Sequence, residues 1–382
     1  MKSILFVSHY SDLLGANRSL LGIVKYIKSQ NSQNPIVLIP RKGELSKALE
    51  DNHIKYLIGN FYPSVYEKRS GADYIKGFIK GLLNIYYVAK IAYKLREENI
   101  SLVHSNSSVT NVGAYLSLIF NVPHVWHFRE FAKQHYKLNF NCGYLIQKLL
   151  WNKCSDANIA ISNALKNYCY SIGCKNVLTI YNGIPFNGIN RPSLKIHNLF
   201  QIALVGVLHP SKHQEVVLLA LSKIVNEYNV SNLHLNIYGQ FIDERYKDLI
   251  EKIVVDNHIE RFVTFYGYQT DVRTMTKDCH IGILASEYEA FGRVTIEYME
   301  NGMIPIVSNS GANLEIIKNG YNGFLFELNS VDSLASCILK VIKEYESLNI
   351  MIENIFNSRL LYTVENNAKQ IISLYDYLFS KK

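Results

Sequence analysis

Ile281-Gly282-Ile283-Leu284-Ala285-Ser286-Glu287-Tyr288-Glu289-Ala290-Phe291-Gly292-Arg293-Val294-Thr295-Ile296-Glu297 is the stretch that decides how this chain folds. Its first five residues form a short apolar run bounded by polar ones, as a buried strand does. Its last five open a helix-like run that ends at Tyr298-Met299-Glu300-Asn301-Gly302. Between them lies a loop with a carboxylate at Glu289, and Glu297 follows eight residues later on the helix. Two glutamates at that spacing mean nothing on a solvated face. After a strand and before a helix they do, because a helix N-terminus offers unpaired N–H groups to an anion and carboxylates accept bonds from sugar and ribose hydroxyls. The segment is in outline a nucleotide-sugar site.

Working outward, short β-branched runs alternate with longer helical patterns along the whole chain, the signature of βα units and parallel sheets. Strands are expected at residues 3–8, 35–39, 102–105, 124–126, 157–161 and 177–180. A polar stretch follows from Asn182-Gly183-Ile184-Pro185 to Arg191-Pro192-Ser193, and its Gly, Pro and Asn mark a linker. The alternation then restarts, with strands expected at 201–205, 233–238, 263–266, 281–285, 304–307 and 323–326, and the tail from about 341 reads as helix. The fold class is therefore α/β, two Rossmann-like lobes facing across a cleft where ligands bind at the carboxyl ends of the strands. The expected domains are 1–190, 191–360 and a C-terminal helix, 361–382, placed to return to the first domain.

The size agrees, since 382 residues exceed what one core usually organises. No apolar run approaches the ~18 residues of a membrane span. The opening Met1-Lys2-Ser3-Ile4-Leu5-Phe6-Val7 resembles a secretory leader only briefly before Ser8, His9, Ser11 and Asp12 interrupt it, so a first strand is expected. Six cysteines without a CxxC pair and twelve histidines without HExxH spacing suggest reduced thiols, a cytosolic setting and no metal centre. Charge is uneven. Residues 1–190 carry 22 Lys and Arg against 10 Asp and Glu, and residues 191–382 carry 18 against 22. A basic first half implies an anionic partner, and the lack of any zinc-finger, RNP-like or helix-turn-helix signature turns that away from nucleic acid. Residues 72–98 interleave Lys76, Lys80, Lys90, Lys94 and Arg96 with aromatic and aliphatic residues. Such a helix either packs its apolar face on the first lobe or lies on an anionic bilayer. Residues 131–151 carry a similar mixture.

Four further features stand in order along the chain. Leu14-Gly15-Ala16-Asn17 sets a glycine at the start of the first helix, where backbone can approach a phosphate. His124-Val125-Trp126-His127-Phe128-Arg129 brings a histidine and an arginine to a strand end, and Tyr181-Asn182-Gly183-Ile184 makes a turn. Gly206-Val207-Leu208-His209-Pro210-Ser211-Lys212-His213 carries a lysine to a helix start, where a cation can neutralise a diphosphate. Taken together with Glu289 and Glu297, this order resembles the retaining glycosyltransferases of family four (glycosyl transferases group 1), which have the two-lobed GT-B fold. The likeness covers nearly the whole chain and is strongest from Val263 to Phe324.

The resemblance implies that 1–190 is the acceptor-side domain and 191–360 the nucleotide-sugar donor domain, and it implies roles residue by residue. Glu289 contacts the donor sugar, Glu297 the ribose hydroxyls, and the N–H groups around Phe291, Gly292 and Arg293 the donor. Lys212 holds the diphosphate, the Gly15 loop closes over it, His127 lies against the donor sugar, and Tyr268 is near the base. Glu289, Lys212 and His127 are the candidate catalytic set. The sequence also departs from the family. Val207 replaces a usual arginine, for which Arg293 and Arg129 are candidate substitutes, His213 replaces a usual glycine, Leu14 another glycine, and Asn17 a glutamate.

The implied reaction moves a sugar from a nucleotide-diphosphate sugar to an acceptor hydroxyl, with retention and without a separate cofactor. No Asp-x-Asp pair occurs in the chain, which points to cationic side chains and N–H groups as the stabilisers of the departing diphosphate. The basic, aromatic first half points to a lipid-linked glycan acceptor for surface polysaccharide at the cytoplasmic membrane face. A nucleotide-sugar epimerase or hydrolase, or an accessory subunit with a decayed site, remain the alternatives at this point.

Overall fold

The computed structural model describes residues 2–67, 71–132, 138–186 and 198–381. The linker expected from the sequence falls, from residue 187 onward, outside the described residues, and so does 133–137 of the second basic, aromatic stretch. The chain divides into two compact units. One is Met1–Pro185 together with Tyr362–Lys382, and the other is Phe186–Leu361.

The first unit holds β1 (Ser3–Val7), β2 (Asn34–Ile39), β3 (Lys55–Ile58), β4 (Val65–Glu67), β5 (Ile100–Ser105), β6 (His124–Phe128), β7 (Leu138–Phe140), β8 (Ala157–Ala160) and β9 (Val177–Thr179). Seven of them form a sheet in the order β3-β2-β1-β5-β6-β8-β9, all pairs parallel, and β4 and β7 form a separate antiparallel ribbon. The second unit holds β10 (Phe200–Val205), β11 (Leu233–Tyr238), β12 (Val263–Phe265), β13 (Ile281–Leu284), β14 (Ile304–Ser308) and β15 (Phe324–Phe326), a parallel sheet ordered β12-β11-β10-β13-β14-β15.

Central strands such as Ser3–Val7 and Ile281–Leu284 are buried at every residue. That is why they read as continuous apolar runs and not as an alternation: helices cover both faces of a parallel sheet. All twelve strands expected from sequence are present, with ends shifted by a residue or two. β3, β4 and β7 were not expected. They are three or four residues long, include Lys55, Glu67 and Asn139, and lack the apolar run that marks a central strand.

The tail forms helices Val331–Glu344, Asn349–Arg359 and Val364–Ser380. The last packs on the first helix, Gly15–Ser29. Its Ile371, Leu374, Tyr375 and Leu378 join Ile4, Phe6, Leu20 and Ile23 in one core.

Candidate functional site

In the second unit, β10 and β13 lie side by side while the chain leaves β10 for β11 on one flank and β13 for β14 on the other. The loops after two such strands diverge, which opens a crevice at the carboxyl end of the sheet where ligands of α/β folds bind. Lys212 and Glu289 come from these two loops.

After β10 the backbone turns at Gly206, whose φ of +146° few side chains tolerate. It then enters a single turn, Pro210–Lys212, capped by His209, whose ring accepts from Ser211 N–H. Lys212 Nζ donates to Ser286 Oγ at 3.0 Å and to Glu289 Oε2 at 3.3 Å. Glu289 Oε1 accepts from Gly292 N–H at 2.9 Å, and the carboxylate also accepts from Phe291 N–H. Burial alone would raise its pKa. The Lys212 ammonium and these N–H groups outweigh burial and hold the carboxyl below its ordinary range, so it is an anion. The loop is braced from behind, since Glu287 N–H donates to Ser211 O, Ser308 Oγ to Ser286 O, and Ala312 N–H to Glu289 O. Gly311 makes this close approach possible. Its φ is +55°, and a Cβ there would stand 2.4 Å from Glu289 O.

Gly292, at φ +80°, turns the chain into the helix Arg293–Glu300. Arg293 Nε donates to Glu297 Oε1 at 3.0 Å across one helical turn. Arg293 is thus held by Glu297, while Arg129, the other candidate replacement for a cation at Val207, belongs to the first unit. Val207 is about half exposed, and so is Tyr268. His213 sits in the left-handed region at φ +50°, a conformation that glycine adopts without strain. Its Nδ1 is 3.1 Å from Glu215 Oε1.

The first unit contributes a second constellation. A Cβ built on Gly15 meets nothing within 4 Å, so packing within the protein does not explain the glycine. Asn17 is buried and ties down the preceding loop, donating to the carbonyls of Tyr10 and Asp12 while Ser8 Oγ donates to its Oδ1. His127 is fully buried on β6. Arg129 donates through NH2 to His127 Nδ1 at 3.3 Å. A guanidinium can only donate, so Nδ1 accepts and the His127 proton sits on Nε2. His104 Nε2, 3.1 Å away, must then donate to the same Nδ1, which leaves His104 Nδ1 to accept from Tyr375 O–H at 2.6 Å. Burial and then Arg129 push both imidazoles well below their ordinary pKa, keeping them neutral. His127 Nε2–H ends this chain as a buried donor with no acceptor among the described residues. Arg129 is fixed by Asn106 and by Asn182, so the Asn182 turn helps to hold the guanidinium in place.

Sequence reasoning passed over Ser286, His104, Gly311 and Tyr375. Ser286 stood inside the deciding stretch, but Tyr375 is 271 residues from His104 and no local pattern links them. Among the described residues no group of three or more His, Cys, Asp or Glu is placed to hold a metal ion.

Residues 187–358 match the family described as Glycosyl transferases group 1, and residues 15–187 match Glycosyltransferase Family 4. The chain belongs to glycosyltransferase family four. Among relatives, the transferase is 26% identical over 299 residues to the UDP-Gal:alpha-D-GlcNAc-diphosphoundecaprenol alpha-1,3-galactosyltransferase of Escherichia coli, covering 73% of this chain and 74% of that one. It is 26% identical over 236 residues to the N-acetyl-alpha-D-glucosaminyl L-malate synthase of Bacillus anthracis, 59% of each chain. The crystal structure of Anabaena Alr3699/HepE in complex with UDP and glucose superposes with a TM-score of 0.80 at 21% identity, covering 99% of the transferase and all of that chain. That likeness establishes the two-lobed GT-B fold.

Proposed function

We propose that the transferase moves a hexosyl group from a UDP-sugar to a hydroxyl of a lipid-diphosphate-linked saccharide, with retention of anomeric configuration, in the assembly of a bacterial surface polysaccharide. The observation that carries this reading is the bonded set Lys212–Ser286–Glu289–Gly292 at the head of the helix Arg293–Glu300. A lysine ammonium beside helix N–H groups suits a departing diphosphate, and an ionised carboxylate beside them suits sugar hydroxyls. The E. coli relative supports the UDP donor and the lipid diphosphate acceptor, and the UDP held by HepE supports the donor.

In this reading charge develops on the leaving diphosphate as its bond to the sugar's anomeric carbon breaks, the acceptor oxygen bonds to that carbon, and the acceptor proton passes to the departing diphosphate. Lys212 and the first N–H groups of the helix stabilise it, and one such interaction is worth about 3 kcal/mol, roughly a hundredfold in rate. Glu289 orients the sugar, Glu297 with Arg293 takes the ribose hydroxyls, and Tyr268 lies by the base. His127 donates its Nε2 proton in a hydrogen bond to a substrate oxygen, and the Gly15 loop approaches the phosphates. A lipid-anchored acceptor places the reaction at the inner face of the membrane.

The test is a panel of UDP- and GDP-sugars, first for a rise in melting temperature and then for transfer to a short-chain lipid diphosphate saccharide. The product anomer is read by NMR. Stabilisation by UDP-sugars and acceptor-dependent transfer are expected. Turnover of donor without acceptor would favour an epimerase or hydrolase, and absence of donor binding a decayed subunit.

A further inference from the structure

The helix Gly71–Leu95 is built inside out over its first half. From Val88 onward it is ordinary, with Val88, Ile91, Ala92 and Leu95 buried in the first unit's core. Before that, the residues facing the protein are Gly77, Gly81 and Asn84. A Cβ on Gly77 would meet Tyr66 at 2.8 Å, one on Gly81 lies 3.7 Å from Asn141, and Asn84 exchanges hydrogen bonds with the backbone of Tyr62. The large apolar side chains point away: Ile75, Phe78, Ile79, Leu82, Ile85 and Tyr86 are each about half exposed or more. A surface helix that hides glycine and asparagine while showing phenylalanine and leucine reverses the usual amphipathic order.

The same reversal occurs next to it. The helix Tyr144–Lys153 buries Gln147, which accepts from Asn111, and exposes Leu145, Ile146 and Leu149, with Leu145 at 76%. The two helices are tied by the ribbon of β4 and β7, which pairs Val65 with Phe140 and Tyr66 with Asn139. Gly71–Leu95 packs on that ribbon through Tyr66 and Asn141, and Tyr144 begins the second helix three residues beyond Asn141. Two reversed helices on one small support both turn large apolar side chains to the outside, and exposed apolar surface of that kind marks an interaction site.

Charge selects the partner. Projected at 3.6 residues per turn, Lys76, Lys80, Lys90 and Lys94 fall within about 80° of one another, beside the apolar arc. Asp73 is the only acid in the helix, so a second copy of this helix offers one carboxylate against four lysines. An anionic headgroup layer neutralises them while its acyl region takes the apolar arc, and long lysine stems reach sideways to the phosphates. Among the described residues no helix is long and apolar enough to cross a membrane.

We propose that the face formed by Gly71–Leu95 and Tyr144–Lys153 docks the transferase on an anionic lipid bilayer. The lipid-linked acceptor gives this docking a purpose, but the two ideas fail separately, because vesicles free of glycan test docking and a short-chain acceptor in solution tests transfer.

The experiment is co-flotation with phosphatidylcholine vesicles, with and without phosphatidylglycerol, at low and high salt. Binding is expected on the anionic vesicles and weakens at high salt. Replacing Lys76, Lys80, Lys90 and Lys94 together by Gln lowers it at least about tenfold, since each lysine near such a surface contributes a severalfold factor. Phe78→Ser, Leu82→Ser and Leu145→Ser combined do the same, and neither set changes transfer to the short-chain acceptor. The native tryptophans, Trp126 and Trp151, are fully buried, so the indole introduced by Tyr86→Trp reports this face alone. Its emission shifts to the blue with anionic vesicles. Equal binding to neutral vesicles, an unshifted emission, or a dimer in light scattering that the serine variants dissolve would each overturn the proposal.

Discussion

Removing the charges of Lys212 and Glu289, singly and together, tests the centre of the proposed site. Their charged atoms are 3.3 Å apart, with side chains 27% and 16% exposed. At an effective dielectric of ~20 that separation corresponds to ~5 kcal/mol of Coulomb attraction. Desolvation of two part-buried ions and the ordering of a lysine side chain offset most of it, leaving ~1–2 kcal/mol of pairwise coupling. Lys212→Met and Glu289→Gln preserve approximate shape, and urea unfolding of both singles and the double gives the coupling as the departure from additivity. Transfer rates measured on the same four proteins give the second half of the test. Each single variant is expected to lose about a hundredfold or more in kcat, and the double little beyond the worse single, because both groups serve one step. Folded single variants that transfer within twofold of the parent rate, or stability losses that simply add, would refute the assignment.

Acid should weaken the fold early. Burial holds His9 and His124 at about 4, so between their unfolded pKa near 6.5 and that value the unfolded chain binds more protons, and stability falls as pH drops below 6.5. At pH 5 each costs roughly 2 kcal/mol, from about 1.5 pH units at 1.36 kcal/mol each. His104 and His127 act in the same direction, and Glu289 adds its share as pH falls from its unfolded value through its lowered folded one. His213, raised by its hydrogen bond to Glu215, opposes them, with stability present below 6.5 and lost as pH rises through its folded pKa. Urea midpoints that match at pH 7.5 and 5.0 would contradict this. Tyr375→Phe removes the donor to a fully buried imidazole nitrogen and should cost about 1–3 kcal/mol. It should also lower kcat about tenfold, and nitrogen NMR should show mixed His104 and His127 tautomers where the parent has one. Gly311→Ala drives a Cβ into the Glu289 carbonyl at a left-handed position, so a drop of at least ~2 kcal/mol and weaker UDP-sugar binding in calorimetry are expected together.

The sheets were legible because strands such as β1 and β13 are buried on both faces and so appear as apolar runs. The pieces around Glu289 were legible for a related reason. A strand, a tight turn and a helix start fix their positions within a few residues of sequence, and Lys212 and Glu289 do meet. What stayed hidden was assembled at long range. Nothing near Tyr375 announces that its hydroxyl sets the tautomer of a histidine on the strand beside β1, and Gly311 looks like any turn glycine until Glu289 O is set against it. The basic helix was visible as a pattern, but which of its faces looked outward depended on Gly77, Gly81 and Asn84 finding Tyr66, Asn141 and Tyr62.

The closing helix Val364–Ser380 has a bearing on synthesis. Phe186–Leu361 is one uninterrupted segment, whereas the first unit draws strand β1 from the chain's opening and Ile371, Leu374 and Tyr375 from its final stretch. As the polypeptide leaves the ribosome, the nested segment therefore has everything it needs while its elder neighbour still waits with a bare flank over the helix Gly15–Ser29. The half made first is the half finished last.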